Sequence, residues 1–449
     1  MVFQTIAGPE ICFLSLIGAL GLAEIASAPV VSLALEPPLS LSFVKMGEEM
    51  VEQVTADKPL AGVRIIELST MVTASLSSMM LAAQGADVIK VEPVGIGDPM
   101  RFIGSQKNGI SALFANCNRG KRGLAVNLKD PKGQDLLQRL AADADVLVHN
   151  YRDGVMRRLN LGSEKLREAN PKLIYAAITG FGKEGPKSQD PAYDHVIQAL
   201  TGYTAVQAED GVPEYMKTLV ADKITAYTVA QGITAALLAR ASTGEGQHID
   251  LSMLQSCLFF LWPDGMMRQT LLADDVTDLA PMADYYRVSE TADGYISIAA
   301  ATDDHWRGVS IVIDRPEIME DNRFNSIFAR SANVALLLKE LDGAFADLST
   351  VDALARLKEH DVPCAACLFP DDVIANEQVS AVGALGLEEH PLLGPMRVAE
   401  PPVQLAGLQA HIERPCPVHG QHSSEIALEA GLDEAEISVM QEAGILTGN

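Results

Sequence analysis

Cysteine is scarce in this chain. Six occur in 449 residues, at Cys12, Cys117, Cys257, Cys364, Cys367 and Cys416. They are too few and too scattered for a disulfide framework, which points to a reducing, cytoplasmic compartment. Basic charge is also short: 34 Lys and Arg face 59 Asp and Glu, a formal net charge of −25. A field of that sign argues against nucleic acid as a partner, so any anionic ligand must meet a local basic cluster. No run reaches the roughly 18 apolar residues of a membrane-spanning helix. The apolar stretch Phe13 to Leu35 is broken by Glu24 and Pro29, and no Lys or Arg precedes Lys45. It therefore lacks the early positive charge of an export signal, and no membrane partner is expected.

What remains is an enzyme-like globular composition, 48% hydrophobic, in a chain too long for one compact domain. Residues 1–57 read as a disordered or loosely docked extension, with Met46 a plausible natural start. Beyond it, apolar runs alternate with helical periodicity. Strands are expected at Val63 to Leu68, Asp87 to Val91, Asp145 to Val148 and Leu173 to Ile178; helices are expected at Thr73 to Gln84, Leu136 to Ala142 and Ser163 to Ala169. That alternation implies an α/β fold with a Rossmann-like, doubly wound parallel sheet and ligands at the carboxyl ends of its strands. The pattern divides into a large domain at 58–270, a smaller α+β domain at 271–362 and a return to the large domain at 363–449.

Asp222 follows the strand-like run Met216 to Ala221 and precedes an Ala-rich helical pattern reaching about Ser242. A carboxylate near that helix N-terminus is expected to stay ionised. On local evidence alone, Asp222 reads as a helix N-cap.

Three chemistries compete. Glu92 ending a strand invites a dinucleotide reading, but the first turn, Ser69 to Ser75, holds no glycine for a pyrophosphate to approach. Cys364 and Cys367 with Cys416 and His419 have zinc-like spacing, yet Val362 to Phe369 reads as a buried strand, and no metal site is assigned. The third is a basic cluster comprising Arg119, Lys121, Arg122, Lys129, Arg152, Arg157 and Arg158, with Asn116, Asn118 and Asn150 as amide donors. It suits a phosphate-bearing ligand, with Tyr151 placed to stack on a base.

These residues carry a family likeness. Leu60 to Leu68, Gly85 to Pro93 with Gly97-Asp98, Asn118 to Arg122, Asn150 to Met156, Gly180-Phe181-Gly182 and Thr243 to Gln247, in that order, resemble the class III CoA-transferases. That group includes formyl-CoA and carnitine CoA-transferases and the α-methylacyl-CoA racemases. The resemblance implies an interlocked homodimer that binds coenzyme A as an acyl-CoA substrate, with no permanently bound cofactor and a small carboxylic acid as the second substrate. It places a nucleophilic aspartate at Asp222, with Tyr193 and Asp194 lining the active site. It implies CoA contacts at Met71, Val72, Val126, Lys129, Asn150, Tyr151 and Arg158. Backbone N–H groups at the turns around Gly180 and Gly182 are expected to stabilise the oxyanions.

Two features depart from the pattern: Ala74-Ser75 stands where the family has Gly-Pro, and a Gly-rich lid is missing between Phe260 and Tyr286. Tyr285, Tyr286 and Trp306 are expected to shape the acyl pocket. Racemases carry a histidine where this chain has Tyr193, so half of the required acid–base pair is lacking. Transfer of CoA through an aspartyl anhydride and an aspartyl-CoA thioester is the expected activity; racemisation is the alternative, and a dinucleotide-binding oxidoreductase a remote one.

Overall fold

Long apolar strands demand cover on both faces, and the chain supplies it with helices. The computed structural model describes residues 58–208, 210–405, 412 and 414–448, together with the backbone of two strands, Leu39–Met46 and Glu49–Ala56. The chain divides into Met1–Asp57 and Lys58–Asn449. Within the first unit the two strands pair antiparallel with each other. Most of the extension expected to be disordered, residues 1–57, lies outside the described residues.

In the second unit, strands β1 (Arg64–Leu68), β2 (Asp87–Glu92), β3 (Lys121–Val126), β4 (Val146–His149), β5 (Ile174–Thr179) and β6 (His248–Ser252) pair parallel with one another, and a short strand, Leu446–Thr447, adds antiparallel to the outer edge of β3. Their order across the sheet is β6-β5-β4-β1-β2-β3. The order reverses between β1 and β4, and in open α/β sheets ligands bind beyond the strand ends at such a point. The four strands expected at Val63 to Leu68, Asp87 to Val91, Asp145 to Val148 and Leu173 to Ile178 are found, each within a residue of its predicted bounds.

One face buries Leu68, Val91, Val126, Leu147 and Tyr175 beneath helices α1 (Pro131–Ala142), α2 (Ser423–Glu429) and α3 (Glu434–Glu442). The other buries Ile65, Val88, Val148 and Ile174 against Leu81 of the helix Val72–Ala83 and against Val229 and Ile233 of the helix Val220–Thr243. No helix among the described residues is long and apolar enough to cross a membrane.

A separate antiparallel sheet is made by Val288–Thr291, Gly294–Ile298 and Cys364–Ala366. Its own core contains Ile296, Trp306, Phe324, Leu337, Phe345 and Leu357. The third strand comes from beyond residue 362, because the middle strand needs a ladder partner on its far side. Trp306 is 8% exposed inside this core and Tyr286 is 74% exposed. The expectation that Trp306 shapes an acyl pocket is therefore corrected: its ring packs the smaller core.

Candidate active site

The helix that carries Asp222 begins earlier than its sequence implies. It spans Val220–Thr243 with Leu219 at the N-cap, so Asp222 is its third residue, and Met216 to Leu219 is irregular rather than strand. Asp222 does not cap the helix. Its own amide donates to Asp194 Oδ2 at 2.9 Å. Asp194 opens the helix Asp194–Thr201, and its other oxygen accepts from Gln198 Nε2 at 2.6 Å. Gln198 also binds the backbone of Met216 and Thr218, which fixes the irregular segment leading into Asp222.

Asp194 and Asp222 are 5% and 8% exposed. Burial, and then the neighbouring charge of Asp194, pushes the Asp222 carboxyl up to about 7. The expectation of a carboxylate ionised throughout is thus corrected: desolvation outweighs the favourable helix terminus. No side-chain hydrogen bond to the Asp222 carboxyl is made among the described residues, which leaves its oxygens free for chemistry. Tyr193 is 60% exposed, with its ring parallel to that of His195 at 6.4 Å.

The turn after β1 is built by its neighbours. Asn150, just past β4, donates to Thr70 O at 2.6 Å and to Thr73 Oγ1 at 3.1 Å and accepts from Thr70 N at 3.2 Å. Met71 adopts φ +63°, a region an L-residue enters only when held there, and its amide donates to Asp98 Oδ1 at 3.2 Å. Beneath the turn lies a network that sequence reading missed. Fully buried Glu67 accepts from Lys90 (2.8 Å), Lys121 (2.7 Å) and Ser69, Ser75 and Ser78. Lys90 also reaches Asp98 at 3.0 Å. Burial alone would raise Glu67, but the two ammonium groups hold its carboxyl far below the usual range. A charged residue in each of three adjacent apolar strands was the available signal.

The basic cluster separates into two groups. Arg119 meets Glu388 and the Ala399 carbonyl, Lys121 is buried on Glu67, and Arg122 is clamped by Asp87, Glu425 and Glu429. These cations are spent inside the fold, so their expected role in phosphate binding is corrected: buried charge demands a partner. Lys129, Arg152, Arg157 and Arg158 remain exposed. Val72 and Val126 are each 1% exposed in hydrophobic cores, which leaves only their backbone to meet a ligand. Gly182 N donates to Thr179 Oγ1 at 3.1 Å and is not a free oxyanion donor. Among the described residues no group of three His, Cys, Asp or Glu side chains could hold a metal ion.

A family model described as CoA-transferase family III matches residues 60–423. Human succinyl-CoA:glutarate CoA-transferase is 32% identical, over 87% of this chain and 90% of its own length. Acetyl-CoA:oxalate CoA-transferase of Acetobacter aceti is also 32% identical, over 80% of this chain and 92% of its own. A solved CAIB/BAIF family protein from Brucella suis superposes with a TM-score of 0.72 at 30% identity, covering 83% of this chain and all of its own.

Proposed function

Since this chain belongs to the CoA-transferase family III, an enzyme family whose substrates are CoA thioesters, we propose that it moves CoA from an acyl-CoA donor to a small dicarboxylic acid through covalent intermediates on Asp222. The carrying observation is a buried carboxyl with unengaged oxygens, on a helix whose first turn is tied down by Asp194 and Gln198. The acceptor class follows the named substrates of the relatives, glutarate and oxalate.

Ionised Asp222 attacks the thioester carbonyl; the C–S bond breaks, giving a mixed anhydride and CoA thiolate. The thiolate then attacks the aspartyl carbonyl and expels the donor acid as carboxylate, leaving aspartyl-CoA. The acceptor carboxylate attacks this thioester and frees the thiolate again. Thiolate attack on the acceptor's carbonyl completes the new acyl-CoA and returns Asp222. Each step exchanges one leaving group for one nucleophile, so a single hard exchange becomes several easier ones.

The CoA phosphates would lie over the turn after β1, at the reversal of strand order, with exposed Lys129 and Arg158 as countercharges and Tyr151 beside them. Asn150 would act by shaping that turn. A homodimer completes this reading, supported by apolar side chains left exposed along Val220–Thr243 and Met253–Gly265, including Leu238 (75%) and Phe259 (85%). The five described cysteines are free, which fits a reducing cytoplasm.

Succinyl-CoA incubated with the protein and then with hydroxylamine should leave a hydroxamate on the Asp222 peptide, and adding glutarate should yield glutaryl-CoA. Full exchange by Asp222→Asn, with no adduct on the wild type, would sink the covalent route. Deuterium appearing at the α-carbon of a 2-methylacyl-CoA would instead favour racemisation.

A further inference from the structure

A cavity of about 490 Å³ opens over one face of β4, β5 and β6, within the size range of small-molecule sites. It is lined by neither Asp194 nor Asp222, it takes Arg157 rather than Arg158 from the short helix Val155–Arg158, and it shares Tyr151 with the proposed CoA site. On its wall, Ser163 Oγ lies 2.9 Å from His248 Nδ1. The other nitrogen of that ring, Nε2, is 3.1 Å from Asp250 Oδ1. His248 and Asp250 are two residues apart on β6, so the pleat sends both side chains to one face. Tyr175 packs edge-on against the His248 ring at 5.2 Å, and His149 packs in the same way on Tyr175 at 5.3 Å, which fixes the imidazole plane.

The hydrogen-bond chemistry runs in one direction. A carboxylate only accepts, so Asp250 places the imidazole proton on Nε2 and leaves the Nδ1 lone pair facing the serine hydroxyl. That is the tautomer a general base needs. Burial, outweighing the opposing pull of Asp250, lowers the His248 pKa, so the ring is neutral and able to accept a proton near pH 7. Lys183 lies 2.5 Å from the same Asp250 oxygen and holds the carboxylate in place.

We propose that Ser163, His248 and Asp250 form a second, hydrolytic site that cleaves esters or thioesters of small carboxylic acids bearing a further negative charge. Ser163 Oγ bonds to the acyl carbon as its proton passes to His248 Nδ1. The C–S or C–O bond breaks, and the leaving group takes that proton. Water then gives a proton to Nδ1 and attacks the acyl-serine, releasing the acid and restoring the hydroxyl. The preference for a second charge follows from Arg152 and Lys165, cavity-lining cations without an ion-pair partner among the described residues.

The test uses the full chain carrying Asp222→Asn, so that aspartyl chemistry is excluded and the outcome is independent of the transfer reading. An alkyl fluorophosphonate should label the peptide containing Ser163, and His248→Gln should slow that labelling at least ~10-fold. Hydrolysis of p-nitrophenyl hemisuccinate should fall ~100-fold or more in Ser163→Ala. Lys165→Ala should raise its KM several-fold while leaving p-nitrophenyl butyrate unaffected. An unlabelled Ser163, or labelling at an unchanged rate in His248→Gln, overturns the site; an equal effect of Lys165→Ala on both esters overturns the charge preference.

Discussion

Asp222 illustrates how a residue's chemistry depends on where the fold puts it. A carboxyl raised to about 7 favours its protonated form in the folded state, while the unfolded chain ionises near the ordinary value of 3.8. Between those two values the folded state holds more protons, so this group's contribution to stability falls as pH rises from about 4 to 7, and the loss is complete above 7. A tenfold change in proton affinity is worth about 1.4 kcal/mol, so Asp222→Asn should stabilise the protein by a few kcal/mol at pH 8 and by little at pH 4. Thermal midpoints of both proteins across that range check this; parallel curves would show that the carboxyl carries no penalty. The same titration predicts that kcat/KM for CoA transfer rises through about pH 7 and levels off above it, since only the carboxylate attacks.

Elements were legible where periodicity was strong, and side-chain roles were not. The parallel strands read correctly because burial on both faces leaves near-continuous apolar runs. Lys121 and Arg122 read wrongly because sequence shows their charge and not their partners: Lys121 meets Glu67 54 positions away, and Arg122 meets Glu429 307 positions away. The helix that carries Asp222 was legible, whereas the strand assigned before it is not present. Met216 to Leu219 has strand-like composition, but Gln198 satisfies its backbone in place of a ladder.

Removing Glu67 tests the buried network at this scale. Glu67→Gln leaves Lys90 and Lys121 short of a counter-charge and should cost about 3–5 kcal/mol, read by urea denaturation. A loss under about 1 kcal/mol would mean that the cluster relaxes freely. Asn150→Ala frees the turn holding Met71 and should weaken CoA binding more than it lowers the thermal midpoint. Calorimetric titration with CoA decides, and unchanged affinity would separate the turn from the ligand.

Across the whole molecule, the apolar surface left exposed has to be accounted for. Leu238, Phe259, Phe260, Trp262 and Leu272 are between 44% and 90% exposed. Four of them lie on only two helices, Val220–Thr243 and Met253–Gly265. In the proposed homodimer a partner covers those helices, which would account for apolar residues on more than one stripe: one face packs on the sheet and another would meet the second chain. Sedimentation velocity of the wild type at about 10 μM should give a dimer, because obligate interfaces bury apolar area of this kind. Leu238→Glu combined with Phe259→Glu should shift the sedimentation coefficient toward a monomer or abolish soluble expression, since charge at a desolvated interface is left unpaired. A wild type that sediments as a monomer, or a double variant that stays dimeric and fully active, would remove these helices from any interface and leave their exposed apolar residues to be explained by another partner.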